Sequence, residues 1–171
     1  MEEDPVESPD VVASVSVDLP TDTAFALFTD GIDRWWPKRN SFSRGTAAFI
    51  GLTEARGWYE TGGDGETLGW GAALAWQPPQ RLLLAWQISP DTQPWSPEPD
   101  PAKASEVEVR FLPIEPGRTQ VKVLHDGFER HGPGGAGMAA GMASPMGWPA
   151  LLEAYRVVAE REAGAPAATP E

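Results

Sequence analysis

Residues 148–162 read WPALLEAYRVVAERE, the most regular apolar pattern in the chain's C-terminal third. Trp148, Leu151, Leu152, Tyr155 and Val158/Ala159 recur at i, i+3, i+4, i+7 spacing, which predicts an amphipathic helix running to about Glu162. Glu153, Arg156 and Glu160 fall on its wet side at offsets that allow ion pairing. Such a helix needs an apolar partner, and the preceding chain supplies strands. Glu106–Leu112 places Val107, Val109 and Phe111 on one face and Glu106, Glu108 and Arg110 on the other. Thr119–Gly127 repeats the scheme with Val121, Val123 and His125, after a Pro116-Gly117 turn. Val11–Leu19 alternates in the same way, a half-buried strand.

Between these lie Ala47–Glu54, Arg56–Thr61 and a hairpin of Leu68–Trp76 with Arg81–Ile88 around Gln77-Pro78-Pro79-Gln80. Two short helices are expected after the first strand, Asp22–Thr29 and Asp30–Trp36, the second stopped by Pro37. Residues 89–104 hold prolines 90, 94, 97, 99 and 101, which block ladder hydrogen bonds and predict an extended surface loop. Gly132–Gly147 is rich in Gly, Ala and Met, and its glycines predict mobility. The order is α+β: a seven-stranded antiparallel sheet, one face solvated, wrapped around the long C-terminal helix. A curved sheet gripping one helix leaves a gap, the expected pocket.

Composition points the same way. Eight tryptophans in 171 residues are hard to bury in a small solid core and easier to place around a cavity. A net charge of −12 argues against nucleic acid and anionic membrane surfaces as partners. With no cysteine, disulfides and thiol catalysis are excluded, and the two histidines make a poor metal set. No apolar run reaches membrane-spanning length, and no signal-peptide pattern opens the chain, so a cytoplasmic protein is expected. Residues 1–10 and 163–171 read as tails flanking a single domain over 11–162.

Several residues are candidates for the pocket. His125 lies on the apolar parity of its strand, where it is either a core histidine bonded to a carbonyl or a polar contact at the wall. Arg56, Trp58 and Glu60 share one strand parity. Facing inward, Glu60 and Arg56 would pair and orient a guest; facing outward, they would be a solvated pair. Met138, Met142 and Met146 recur every four residues, a soft stripe that fills core or covers a variable guest. Trp148, Leu152 and Tyr155 face the sheet, and Trp35 and Trp36 sit where the mouth is expected. Trp95, in the proline loop, is either a lid residue or an exposed anchor. Phe49, Trp70, Trp86, Phe111 and Met142 complete the expected wall. No nucleophile elbow, phosphate loop, zinc-protease motif or dinucleotide fingerprint is present.

An ordered set of blocks carries a resemblance over roughly residues 11–160. These are Thr29-Asp30 with Trp35-Trp36-Pro37, Gly57-Trp58-Tyr59-Glu60, Trp76-Gln77-Pro78-Pro79-Gln80-Arg81-Leu82 and Leu84-Ala85-Trp86. They continue through Ser105–Phe111, His125 with Gly127-Phe128-Glu129-Arg130, and Gly147-Trp148-Pro149. The chain resembles the START-like (SRPBCC, helix-grip) superfamily, in the branch homologous to the activator of the heat-shock-chaperone ATPase. The same blocks are similar to START-like self-resistance proteins of enediyne producers. The resemblance implies binding or sequestration of a hydrophobic, polycyclic aromatic small molecule, in self-resistance or natural-product biosynthesis. Two other readings stay open: a cyclase, dehydratase or hydrolase using His125 and a carboxylate such as Glu60, and a chaperone-regulating protein-binding domain. Binding rather than turnover is expected. No catalytic residue, cofactor or metal is assigned, and the protein is expected to be a monomer or weak homodimer.

Overall fold

A computed structural model describes residues 10–42 and 47–164. The tail expectations for residues 1–9 and 165–171 lie outside the described residues. Strand β1 (Val11–Val17) is followed by helices α1 (Thr21–Thr29) and α2 (Ile32–Trp35). Strands β2 (Ala47–Thr53), β3 (Gly57–Gly62), β4 (Thr67–Gly71), β5 (Ala73–Gln77) and β6 (Arg81–Trp86) come next. Two short strands, β7 (Ile88–Ser89) and β8 (Ser96–Pro97), precede the long pair β9 (Ser105–Glu115) and β10 (Arg118–Asp126). Helices α3 (Gly135–Ala143) and α4 (Trp148–Gly164) close the described chain.

The α+β class and the long C-terminal helix hold, with every strand pair antiparallel. The strand count differs from seven. One sheet has five strands in the order β1-β10-β9-β6-β5, a second has β2-β3-β4, and β7-β8 form a third. The run expected as one strand over Leu68–Trp76 breaks at Gly71, where φ is +141° and a Cβ would collide with the Ala85 carbonyl. Backbone bonds still stitch the sheets together there: Ala85 N–H donates to Ala72 O at 2.9 Å, and Gln87 N–H to Trp70 O at 2.7 Å. Gln87 also ends β6, because it exchanges bonds with Glu98 in the proline-rich segment: Glu98 N–H donates to Gln87 O, and Gln87 Nε2 to Glu98 O. That segment, expected as an extended loop, is therefore tied down and carries β7 and β8.

The alternation read from the sequence survives in the five-stranded sheet. Val107, Val109, Phe111, Val121 and Val123 are buried on one face, with Val121 opposite Phe111 and Val123 opposite Val109. Helix α4 buries Trp148, Leu151, Leu152, Tyr155 and Ala159. Pro149 sits in its first turn, where no backbone N–H is missed. Beneath the middle of α4 the described side chains pack ring on ring. Phe25 and Phe28 of α1 meet Phe111 at ring separations of 5.1 and 5.7 Å, and Tyr155 meets Phe28 at 5.5 Å and Trp35 at 5.2 Å. The Tyr155 hydroxyl donates to Ala24 O at 2.7 Å, and burial pushes its pKa up. An ionised phenol there is excluded by desolvation.

Candidate functional site

A pocket of about 610 Å³ opens at the N-terminal end of α4. Its walls come from four places: Trp36 with Asn40–Phe42, Trp86 at the end of β6, Gln93–Trp95 of the proline-rich segment, and the α3–α4 junction through Gly141, Met142, Met146, Gly147 and Leu151. The size lies in the usual range for small-molecule sites. Its described lining is aromatic and thioether, with Asn40, Ser41 and Gln93 as neutral polar groups.

Local sequence explains the shape. Gly147 joins α3 to α4 so tightly that a Cβ there would overlap the carbonyls of Gly141 and Met142. Gly141 leaves room for Trp95, whose indole edge would lie only 3.3 Å from an added Cβ. The proline-rich segment thus rests an aromatic ring directly on α3. In the methionine stripe, Met138 is core, Met142 is a buried wall residue and Met146 is exposed beyond the helix end. Most of the Gly-, Ala- and Met-rich segment is helix α3.

Behind the pocket stands a second layer of rings. Trp58, Trp70 and Trp148 are fully buried. Trp36 packs on Trp70 at 5.2 Å, Trp86 on Trp58 at 5.4 Å, and Phe42 on Trp70 at 5.0 Å. Offset and edge-on pairs of this kind add to the stabilisation from area burial. The indoles expected to wall one cavity therefore fill much of it, and the open volume lies in front of Trp36, Phe42 and Trp86.

Glu60 is fully buried in this layer. Its Oε1 accepts from Phe42 N–H at 2.6 Å and from Trp70 Nε1 at 2.9 Å, while Oε2 has no partner among the described residues. Of the two orientations open for Arg56, Trp58 and Glu60, Trp58 and Glu60 point inward and Arg56 does not join them. Gly57, at φ +67°, breaks the alternation, and the Arg56 guanidinium lies over the Tyr59 ring on the outside.

His125 does not line the pocket; its ring packs edge-on to Trp86 at 5.4 Å. Trp148 Nε1–H, a donor only, reaches His125 Nδ1 at 3.0 Å. The His125 proton therefore sits on Nε2 and is donated to Ser105 Oγ at 2.8 Å. The Ser105 hydroxyl in turn donates to His131 Nε2 at 2.7 Å, and His131 Nδ1 is left without a partner among the described residues. Burial, and secondarily the charge of His131, holds His125 well below the ordinary histidine range. Burial also lowers His131, opposed by Asp91 and Glu98. Both rings are neutral, and both nitrogens of His125 are occupied, so it offers no free base. No hydrogen bond joins His125 to Glu60 among the described residues. His131 is buried as well.

Of the thirteen residues expected at the site, Trp36, Trp86 and Met142 line the pocket. Trp58, Glu60, Trp70, His125 and Trp148 stand behind it. Trp35, Phe111, Leu152 and Tyr155 belong to the buried core. Phe49 is 43% exposed and lies against Tyr59 away from the pocket. On α4, Leu151 rather than Leu152 faces the opening. Asn40, Ser41, Phe42, Gln93 and Pro94 were missed, because a pocket lip made of loop residues has no periodicity to read.

Residues 18–147 match the family described as Activator of Hsp90 ATPase homolog 1-like protein. The chain belongs to this family. None of the curated proteins matches it. Among solved structures it is similar to an anthrahydroquino-gamma-pyrone synthase, Txn09, complexed with SUM, at 33% identity and TM-score 0.61, over 90% of this chain and 99% of that one. It is also similar to CalC from Micromonospora echinospora, a self-sacrificing resistance protein, at 28% identity and TM-score 0.61, over 92% and 97% of the two chains. Protein NE0264 from Nitrosomonas europaea, at 15% identity and TM-score 0.60 over 90% and 95%, shares the fold. Among the described residues, no helix is long and apolar enough to cross a membrane.

Proposed function

We propose that this protein binds a flat, polycyclic aromatic small molecule in the pocket at the head of α4, as part of natural-product self-resistance or biosynthesis. The observation that carries the reading is the wall itself: Trp36, Phe42, Trp86 and Trp95 ring about 610 Å³, with Met142 and Met146 as adaptable filler and neutral polar groups at the lip. Apolar burial at roughly 25 cal/mol per Å² supplies the drive, offset by ordering costs. The resistance role of CalC and the synthase role of Txn09 support an aromatic natural product as the guest.

The test is a titration of intrinsic tryptophan fluorescence with three- and four-ring aromatics. Saturable quenching is expected, weakened about tenfold in Trp95→Ala. Absence of saturable binding across the series removes the reading.

A second reading has the bound molecule react in the same pocket. The 33% identity to a protein named a synthase favours it. With His125 occupied at both nitrogens, the pocket would act by holding a reactive chain in one folded shape rather than by proton transfer to that histidine. New product in chromatography of protein incubated with a polyketide-type substrate, absent with Trp95→Ala, separates turnover from binding.

A further inference from the structure

Six of the eight indoles are buried, and five of those six have an acceptor. Trp35 donates to Leu27 O, Trp36 to Asn40 O, Trp58 to Ala85 O, Trp70 to Glu60 and Trp148 to His125. Trp86 is the exception. Its ring is 2% exposed, and its Nε1–H has no partner among the described residues. A buried donor left unpaired costs roughly 1–3 kcal/mol. Every other sealed indole in this protein avoids that cost, and the one that does not is in the wall of the pocket.

We propose that the Trp86 indole N–H, sealed from water in this structure, is uncovered as a guest seats against the wall and is the specificity donor of the site, pairing with an acceptor oxygen on the guest's ring system. The guest class is then a polycyclic aromatic carbonyl compound, a quinone or pyrone, rather than a bare hydrocarbon. This rests on the binding reading above and deepens it. Trp36 and Phe42 supply ring contact that any flat aromatic satisfies. The unpaired donor discriminates, because an oxygen-free guest of the same shape leaves it unsatisfied, and sites with buried polar groups reject analogues that cannot pair with them. The described wall offers no charged side chain to compete for that oxygen.

The experiment compares 2-(trimethylammoniomethyl)anthraquinone with 2-(trimethylammoniomethyl)anthracene, which share charge and outline, carry no acceptor on the substituent, and differ in the two ring carbonyls. Wild type is expected to bind the quinone about tenfold more tightly, and Trp86→Phe to bind both alike. In wild-type protein labelled with ¹⁵N, the Trp86 indole resonance, assigned through its contacts to Phe42 and Trp58, is expected to shift downfield with the quinone alone. This second measurement stands even if Trp86→Phe folds poorly. Equal wild-type affinities, a preference that survives in folded Trp86→Phe, or an unmoved indole resonance would overturn the donor assignment and leave the binding reading standing. Failure of both probes to bind would overturn both.

Discussion

At the middle of α4, Tyr155 packs edge-on against Phe28 and Trp35 and donates its hydroxyl to Ala24, so both its ring and its polar atom have partners. One turn nearer the N-terminus, Leu151 and Gly147 face open volume, with Trp86 unpaired in the wall and Trp95 resting on Gly141. The same kind of side chain does two jobs on one helix. Rings held from several sides, with their polar atoms bonded, stabilise the fold. Rings with one side unfilled offer area and a donor to something else. Aromatic content alone does not locate a site; the distribution of satisfied and unsatisfied groups does.

Substitutions on the two sides should therefore separate stability from binding. The largest effect is expected from Trp58→Ala, which empties a fully buried ring position and strands the Ala85 carbonyl. It should cost about 3–5 kcal/mol in denaturant unfolding, the usual range for losing a buried large aromatic. A loss below about 1 kcal/mol would mean that the layer behind the pocket is loosely packed, and the division would break. Tyr155→Phe keeps the ring and removes only the hydroxyl. It should cost about 1 kcal/mol, the net worth of one hydrogen bond, because the Ala24 carbonyl keeps its place in the α1 ladder, with probe affinity unchanged.

How far the sequence could reach follows the same division. Helix α4 and the strands β1, β9 and β10 were legible because burial imposes a period on them, and their inward residues fell where the pattern put them. The strand count was not, since the break at Gly71 depends on a close approach to the Ala85 carbonyl that no local pattern records. At the site, Trp36, Trp86 and Met142 were legible as large apolar residues near the expected mouth. Asn40, Ser41, Phe42 and Gln93 were not, because loops bring them together without periodicity. His125 was legible as an inward histidine, but its role was hidden. Trp148 and Ser105, distant in sequence, take both its nitrogens once the chain is folded.

On the open side, the informative substitution is Gly141→Val. The added methyl groups must displace Trp95, whose edge already lies 3.3 Å from the position of a new Cβ. Affinity for an aromatic probe should fall about tenfold in fluorescence titration, while unfolding free energy stays within about 1 kcal/mol, since valine replaces a poor helix former. A large stability loss with unchanged affinity would place Trp95 among the structural rings instead.

The smallest effect expected is a pH dependence tied to the chain behind Trp86. His125 on β10 faces Trp148 of α4 and Ser105 of β9; His131 shares Ser105 and feels Asp91 and Glu98 of the proline-rich segment. Burial lowers both histidines, so folding favours their neutral forms. The unfolded chain then binds more protons than the native state once pH drops below about 6.5, the ordinary histidine value. Stability from this source is complete above that pH and declines as pH falls through it toward the depressed native values. Urea unfolding between pH 7.5 and 5.5 should show that decline, and His131→Gln should flatten part of it. Asp91 and Glu98 oppose the lowering at His131 and not at His125, so His125 should carry the greater part of the slope. If His131→Gln removes all of it, the deeper histidine is not the one that burial keeps neutral.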